Sequence, residues 1–87
     1  MKVQNVTNLN GNIVKNQFII YGDDFTAFQS YNRIIVKKQG GKVYLDKVYW
    51  DYSKTTGKYR NRFLGETKNE TVKKIASGEY KLVDLNA

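Results

Sequence analysis

Nine basic residues crowd the thirty positions from Arg33 to Arg62: Arg33, Lys37, Lys38, Lys42, Lys47, Lys54, Lys58, Arg60 and Arg62. Two acids, Asp46 and Asp51, oppose them, so this stretch carries the whole formal net charge of +7. Tyr44, Tyr49, Trp50, Tyr52 and Tyr59 are interleaved with the cations. That pairing of residue types is the chemistry of anion recognition. Lysine and arginine attract phosphate with release of counterions, and exposed aromatic faces stack unpaired bases for about 1–3 kcal/mol each. Arg33, Lys54, Lys58, Arg60 and Arg62 are the candidate anion or nucleic-acid contacts. Tyr49, Trp50, Tyr52 and Tyr59 are the candidate stacking or hot-spot residues. The same aromatics equally suit the core of a small sheet, with the lysines as its solvated edge.

Within this stretch, Thr55-Thr56-Gly57 offers free amides at a helix start, with Lys58, Arg60 and Arg62 around it. Amides and cations together make an oxyanion site. At two-residue spacing, Arg60 and Arg62 do not face the same way on a helix. The segment is no Walker A loop: Tyr52 stands where that motif requires glycine, and Tyr59 where it requires serine or threonine. Asp23-Asp24 is the only adjacent carboxylate pair, and it reads as a turn because no further oxygen ligands follow at the spacing of a calcium loop. The chain has no histidine and no cysteine. Disulfides, thiolate metal sites and the usual neutral-pH proton shuttle are therefore excluded. No carboxylate is paired with a nucleophile, so a non-enzymatic protein without catalytic residues, metal or cofactor is expected.

The elements that must hold these residues are punctuated by glycine, since proline is absent. Asn10-Gly11 predicts a type I′ hairpin between Val3–Leu9 and Ile13–Tyr21. Gly22-Asp23-Asp24 predicts a turn. Phe25–Lys37 is the longest extended candidate, with a bulge or break expected near Ser30–Asn32. Lys38-Gln39-Gly40-Gly41 closes a second hairpin onto Val43–Leu45, and Val48–Tyr52 reads as strand or irregular. Thr55-Thr56 predicts the cap of a short helix ending at Gly65. Thr67 with Glu70 predicts a capping box, Val72, Ile75 and Ala76 an inward stripe, Lys73 and Lys74 an outer face, and Gly78 a left-handed C-cap. Tyr80–Leu85 follows as a last strand. Strands first and helices late predict an α+β domain. Its antiparallel sheet has four or five strands in a hairpin meander, with one or two short helices before the C-terminal strand.

Eighty-seven residues suit one domain, 1–87, with 40% apolar and 26% charged residues, a globular composition. A core this small leaves stability modest unless a homodimer interface supplements it. No run approaches the roughly 20 apolar residues of a membrane span, and the polar start lacks a signal core. A bacterial cytoplasmic location and no membrane partner are expected.

Three runs carry a resemblance: FQSYNRII from Phe28, VYLDKVYWDYSKTTGKYRNRFLGET from Val43, and ASGEYKLVDLN from Ala76. Together they resemble a family of small, uncharacterised proteins of tailed bacteriophages and prophages. Lys47 departs from the acidic residue expected there and enlarges the positive charge. The resemblance implies an origin and a class, with no catalytic residues to carry over. It implies a protein that binds a nucleic acid, a nucleic-acid-bound host machine or a defence component. Host takeover and counter-defence of the anti-CRISPR kind both belong to that class. Two alternatives stand beside it. One is an oligomeric sponge for a small anionic nucleotide messenger. The other is a protein–protein inhibitor acting through an aromatic–arginine hot spot.

Overall fold

The computed structural model describes all residues, Met1–Ala87. Six strands form one sheet in chain order: β1 (Lys2–Thr7), β2 (Ile13–Tyr21), β3 (Phe25–Ser30), β4 (Arg33–Gln39), β5 (Lys42–Asp46) and β6 (Tyr80–Val83). Two helices, α1 (Lys54–Leu64) and α2 (Lys68–Ser77), lie between β5 and β6 in the chain. The first five strands pair antiparallel. The helices carry the chain back to the start of the sheet edge, so β6 pairs parallel to β5, Val43 opposite Tyr80. The domain is α+β with a mostly antiparallel sheet and a C-terminal strand, as the sequence predicts.

Local chemistry explains the turns. Gly40 and Gly41 both take positive φ, 59° and 76°, which a two-residue hairpin demands. Asn10-Gly11 sits instead in a five-residue loop, because Thr7 pairs with Ile13 and the Asn8 carboxamide accepts from the Asn10 and Asn12 amides. The expected long strand breaks at Tyr31-Asn32, where Ser30 pairs with Arg33. Tyr31 holds φ 56° there, and its amide donates to the Asn16 carbonyl at 2.6 Å. Ile35 is the extra residue of a bulge in β4 and is fully buried.

Alternation along the strands sends Ile19, Phe28, Val36 and Leu45, one cross-strand row, to the face that the helices cover. Phe63 of α1 stacks on Phe28 at 6.0 Å, and Thr56 of α1 shares a hydrogen bond with Ser30 at 2.8 Å. Tyr59 and Tyr80 complete the core.

Helix α1 starts at least two residues earlier than the expected Thr55-Thr56 cap implies. Ser53 is its cap, accepting from the Thr56 amide, and Gly65 ends it with φ 68°. Helix α2 has the full capping box of Thr67 and Glu70, and Gly78 closes it at φ 85°. Its inner face differs from expectation. Val72 and Ala76 are exposed, and the helix packs through Thr71 and Ile75. The reason is Glu66, whose carboxylate accepts from Thr71 Oγ1 at 2.5 Å, Lys74 Nζ at 2.8 Å and Tyr80 OH at 2.8 Å. That buried acid draws Thr71 and Lys74 inward, so Lys74 does not lie on the outer face.

Gln17 lies on the helix-covered face opposite Ser30, fully buried, and neither of its amide atoms has a hydrogen-bond partner. An orphaned buried amide costs about 1–3 kcal/mol. Gln17→Leu, close in volume, is therefore expected to raise the urea midpoint by an amount equal to about 1–2 kcal/mol, with the slope unchanged. A lowered midpoint would show that the amide is satisfied in solution.

Candidate nucleic-acid interface

The site is built on α1. Lys54, Lys58 and Arg62 follow one another at intervals of four residues, so their side chains rise along one helix face over about 12 Å. All three are exposed, and none makes a salt bridge. This face borders the β1–β2 hairpin. Lys58 and Arg62 stand across a concavity of about 400 Å³ from Asn8, Leu9 and Asn10. Arg62 also lines a smaller one of about 240 Å³ with Gln4, Asn5 and Tyr21. At the other end, Lys54 and Lys58 border an open depression of about 450 Å³ with Tyr52, Asp51 and Lys68. The cations thus border three separate depressions, and Asn8 and Asn10 face Lys58 and Arg62 across the middle one.

An aromatic stands exposed at each end. Tyr52 is 43% exposed beside Lys54, and Tyr21 is 42% exposed beside Arg62. Tyr52 is braced edge-on by Tyr49 at 5.6 Å, and the Arg33 guanidinium lies over Tyr49 at 4.8 Å. Asp46 sets this loop. It is 1% exposed, and one of its oxygens accepts from the Val48 and Tyr49 amides at 3.0 and 2.8 Å. Its other oxygen accepts from the Leu85 amide and the Asn86 side chain. Burial pushes this carboxyl up, but the four N–H donors outweigh burial and hold it below the ordinary carboxylate range.

Several sequence candidates fall elsewhere. Arg60 is 1% exposed and is no phosphate contact. Its guanidinium donates to the Trp50 carbonyl at 2.8 Å, to Asp51 at 2.9 Å and to Asn61 at 2.9 Å, and it covers the Trp50 ring. Two positions from Arg62, it turns inward, as helical spacing requires. Trp50 is half-buried beneath it, and Tyr59 is a core residue at 8% exposure. Tyr49 already carries Arg33 on its face, so Tyr52 is the one proposed aromatic left with a large free surface. Arg33 itself is half-buried in that contact.

The basic stretch also fails to form a single patch. Lys38 points under α1, donating to the Phe63 carbonyl at 2.9 Å, while Lys37, its neighbour, lies on the opposite sheet face over Phe25. Asp51 pairs with both Arg60 and Lys68. Asp46 binds backbone amides and no lysine. What converges is the α1 stripe. The sequence reading did not single out Tyr21 or the Asn8–Asn10 wall. The four-residue spacing of Lys54, Lys58 and Arg62 was the available signal.

A family model described as a family of unknown function, DUF8033, matches residues 1–79. No curated protein and no solved structure matches the chain. No helix is long and apolar enough to cross a membrane.

Proposed function

We propose that this chain, which belongs to the family of unknown function DUF8033, is a non-enzymatic binding protein that holds single-stranded nucleic acid along α1. The observation that carries this is the row of three exposed, unpaired cations, Lys54, Lys58 and Arg62, at one helical face. The row tracks a phosphate backbone, while Tyr52 and Tyr21 at its ends offer faces for bases. A duplex presents no unstacked base to either tyrosine, which favours a single strand. Asn8 and Asn10 on the facing wall supply donors and acceptors to sugar or base edges. The resemblance of Val43–Thr67 to phage proteins supports a partner inside a bacterial host, either nucleic acid or a machine that carries it. Takeover or counter-defence would then act by occupying the strand.

Three neutralised phosphates give a slope of log affinity against log salt of about −2 on a single strand. Replacing Lys54, Lys58 and Arg62 together by glutamine is expected to bring that slope close to zero and to abolish binding to a mixed-sequence oligonucleotide, with the circular dichroism unchanged. Fluorescence anisotropy over a salt series reads both quantities. Binding that is independent of salt, or equal in the triple variant, overturns the proposal.

The depression at Tyr52, Lys54, Lys58 and Lys68 is the one observation that favours the alternative of a small nucleotide ligand. Asp51 in its wall, already bonded to Arg60 and Lys68, opposes a compact anion there. A thermal shift with a mononucleotide and none with a polymer would choose the smaller ligand.

A further inference from the structure

Resting on the reading of α1 as a single-strand site, we propose that the depression at the start of this helix is a base pocket that selects guanine, with Asp51 reading the base edge and Gly57 keeping the floor open. The depression, about 450 Å³, falls in the size range of small-ligand clefts, roughly 300–1,000 Å³. Exposed Tyr52 borders it and offers a stacking surface that any base can use. Selection must therefore come from the polar groups beside it. Asp51 is the acceptor. Its Oδ1 takes Arg60 Nη1 at 2.9 Å, and its Oδ2 takes Lys68 Nζ at 2.6 Å. A carboxylate oxygen accepts twice, so each keeps one lone pair for a ligand. Burial pushes this carboxyl up, but Lys68 and Arg60 outweigh burial and hold it below the ordinary carboxylate range, so it is ionised at neutral pH. Asn61 is the donor. Its oxygen accepts from Arg60 Nη2 at 2.9 Å, which leaves its NH₂ without a partner in the chain.

Two adjacent acceptors beside a donor complement one base edge. Guanine presents two neighbouring donors, N1–H and the N2 amine, next to the O6 acceptor. Adenine and cytosine turn a ring-nitrogen lone pair toward such a carboxylate, and thymine and uracil flank their one donor with carbonyls. A bidentate, charge-assisted pair is the strong kind of hydrogen bonding. The carboxylate that opposes a compact anion here therefore favours this neutral, donor-rich edge. Gly57 points the same way. It stands inside α1, and its φ lies outside the left-handed region, so its backbone does not need glycine. A Cβ there would meet Arg60 at 3.5 and 3.7 Å and Asp51 Oδ1 at 3.7 Å, ordinary contact distances. Alanine therefore fits, and it is the better helix former. The chain carries a helix-weakening residue where nothing in the fold requires one. Its effect is to leave the space beside Asp51 Oδ1 open at the wall of the depression. Close approach of a ligand to backbone is what such a glycine permits.

Fluorescence anisotropy with short oligothymidines that carry one central guanine, adenine, cytosine or hypoxanthine measures the preference. The guanine strand should bind about tenfold tighter than the adenine or cytosine strand. Hypoxanthine lacks the N2 amine and should lose most of that gain. The slope against salt should be the same for all, because their phosphates are the same. Gly57→Ala should raise the urea midpoint and shrink the guanine preference severalfold, again at an unchanged salt slope. Equal affinities for all the oligonucleotides overturn the base pocket and leave the single-strand reading in place. A Gly57→Ala protein that keeps the full preference also overturns the pocket. Guanosine, which has no phosphate, separates the two readings from the other side. At about 1 mM it should shift the Tyr52 and Gly57 amide resonances, where adenosine shifts neither. If guanosine shifts them and no oligonucleotide binds, the pocket stands and the strand reading falls. If neither ligand acts, both fall.

Discussion

Arg60→Met is expected to lower stability by about 3 kcal/mol, whereas Arg62→Met, two residues away in the same basic run, changes it by no more than about 0.5 kcal/mol. The difference lies in what each guanidinium leaves behind. Arg62 stands in water with no ion-pair partner, so its loss orphans nothing. Arg60 is buried, and its removal strips the Trp50 carbonyl and the Asn61 side chain of a donor and leaves Asp51 with Lys68 alone. Asp51 keeps 28% of its side-chain surface in water, which places the cost at the lower end of the range for breaking a buried pair. Methionine keeps most of the packing against Trp50, so the measured loss reports the polar contacts. Trp50 is the chain's one tryptophan and lies under this guanidinium, so its fluorescence in a urea titration follows the event directly. For binding, the order reverses. Arg62→Met weakens the oligonucleotide complex, while Arg60→Met, below its unfolding midpoint, leaves the salt slope as it was. Equal stability losses at the two positions would mean that Arg60 is solvated and that the inward arginine is wrong.

That contrast shows what a linear sequence hides. Most turns and caps were legible, because their chemistry is local, although Asn10-Gly11 lies in a longer loop and Ser53, not Thr55 or Thr56, caps α1. Gly40-Gly41, the Thr67–Glu70 box, Gly65 and Gly78 each act within a few residues of themselves. The α+β class followed from strands preceding helices. The parallel joining of β6 to β5 was not legible, since it depends on how far two helices return the chain. The inner face of α2 was misread for a related reason. Hydrophobicity alone marks Val72 and Ala76, but a buried acid outside the helix, Glu66, selects Thr71 and Lys74. In the proposed site, charge density marked the segment that holds Lys54, Lys58 and Arg62, and with them residues that the fold turns elsewhere. Density counts Arg60 and Lys38 equally with Lys58. Four-residue spacing, applied strictly, separates them. Tyr21 and the Asn8–Asn10 wall lie in a distant hairpin that only the folded sheet brings beside α1.

Asp46→Asn should be the other large effect, and it should depend on pH. One Asp46 carboxylate gathers two amides of the loop that carries Tyr49 and Tyr52, one amide of the C-terminal segment, and the Asn86 side chain, which itself bonds both the Ile34 amide and carbonyl. Asparagine keeps one oxygen and turns its NH₂ toward two of these donors, so two bonds are lost and two donors are left facing a donor. At about 1.5 kcal/mol for each hydrogen bond to a charged group, the loss at pH 7 is about 3 kcal/mol. Burial raises the Asp46 pKa, the donors lower it further, and the folded value ends below the ordinary 3.8. The charged-state contribution is therefore complete above the unfolded pKa and disappears as pH falls through the folded one. Asp51 and Glu66 are lowered too, each against its own burial, by Lys68 and Arg60 and by Lys74, Thr71 and Tyr80, respectively. All three carboxylates thus place acid destabilisation below about pH 4. Urea midpoints at pH 7, 5, 4 and 3 should show Asp46→Asn far below wild type at first, with the gap narrowing once the wild-type carboxylate takes up its proton. A gap that stays constant down to pH 3 would mean that the ionised form of Asp46 holds nothing in place. The same variant tests what the loop does for the site when its NH₂ takes the place of Oδ2, the oxygen that holds the Val48 and Tyr49 amides, because freeing them releases Tyr52 from its brace. Oligonucleotide affinity should then fall at neutral pH with the salt slope unchanged, since Lys54, Lys58 and Arg62 stay on α1.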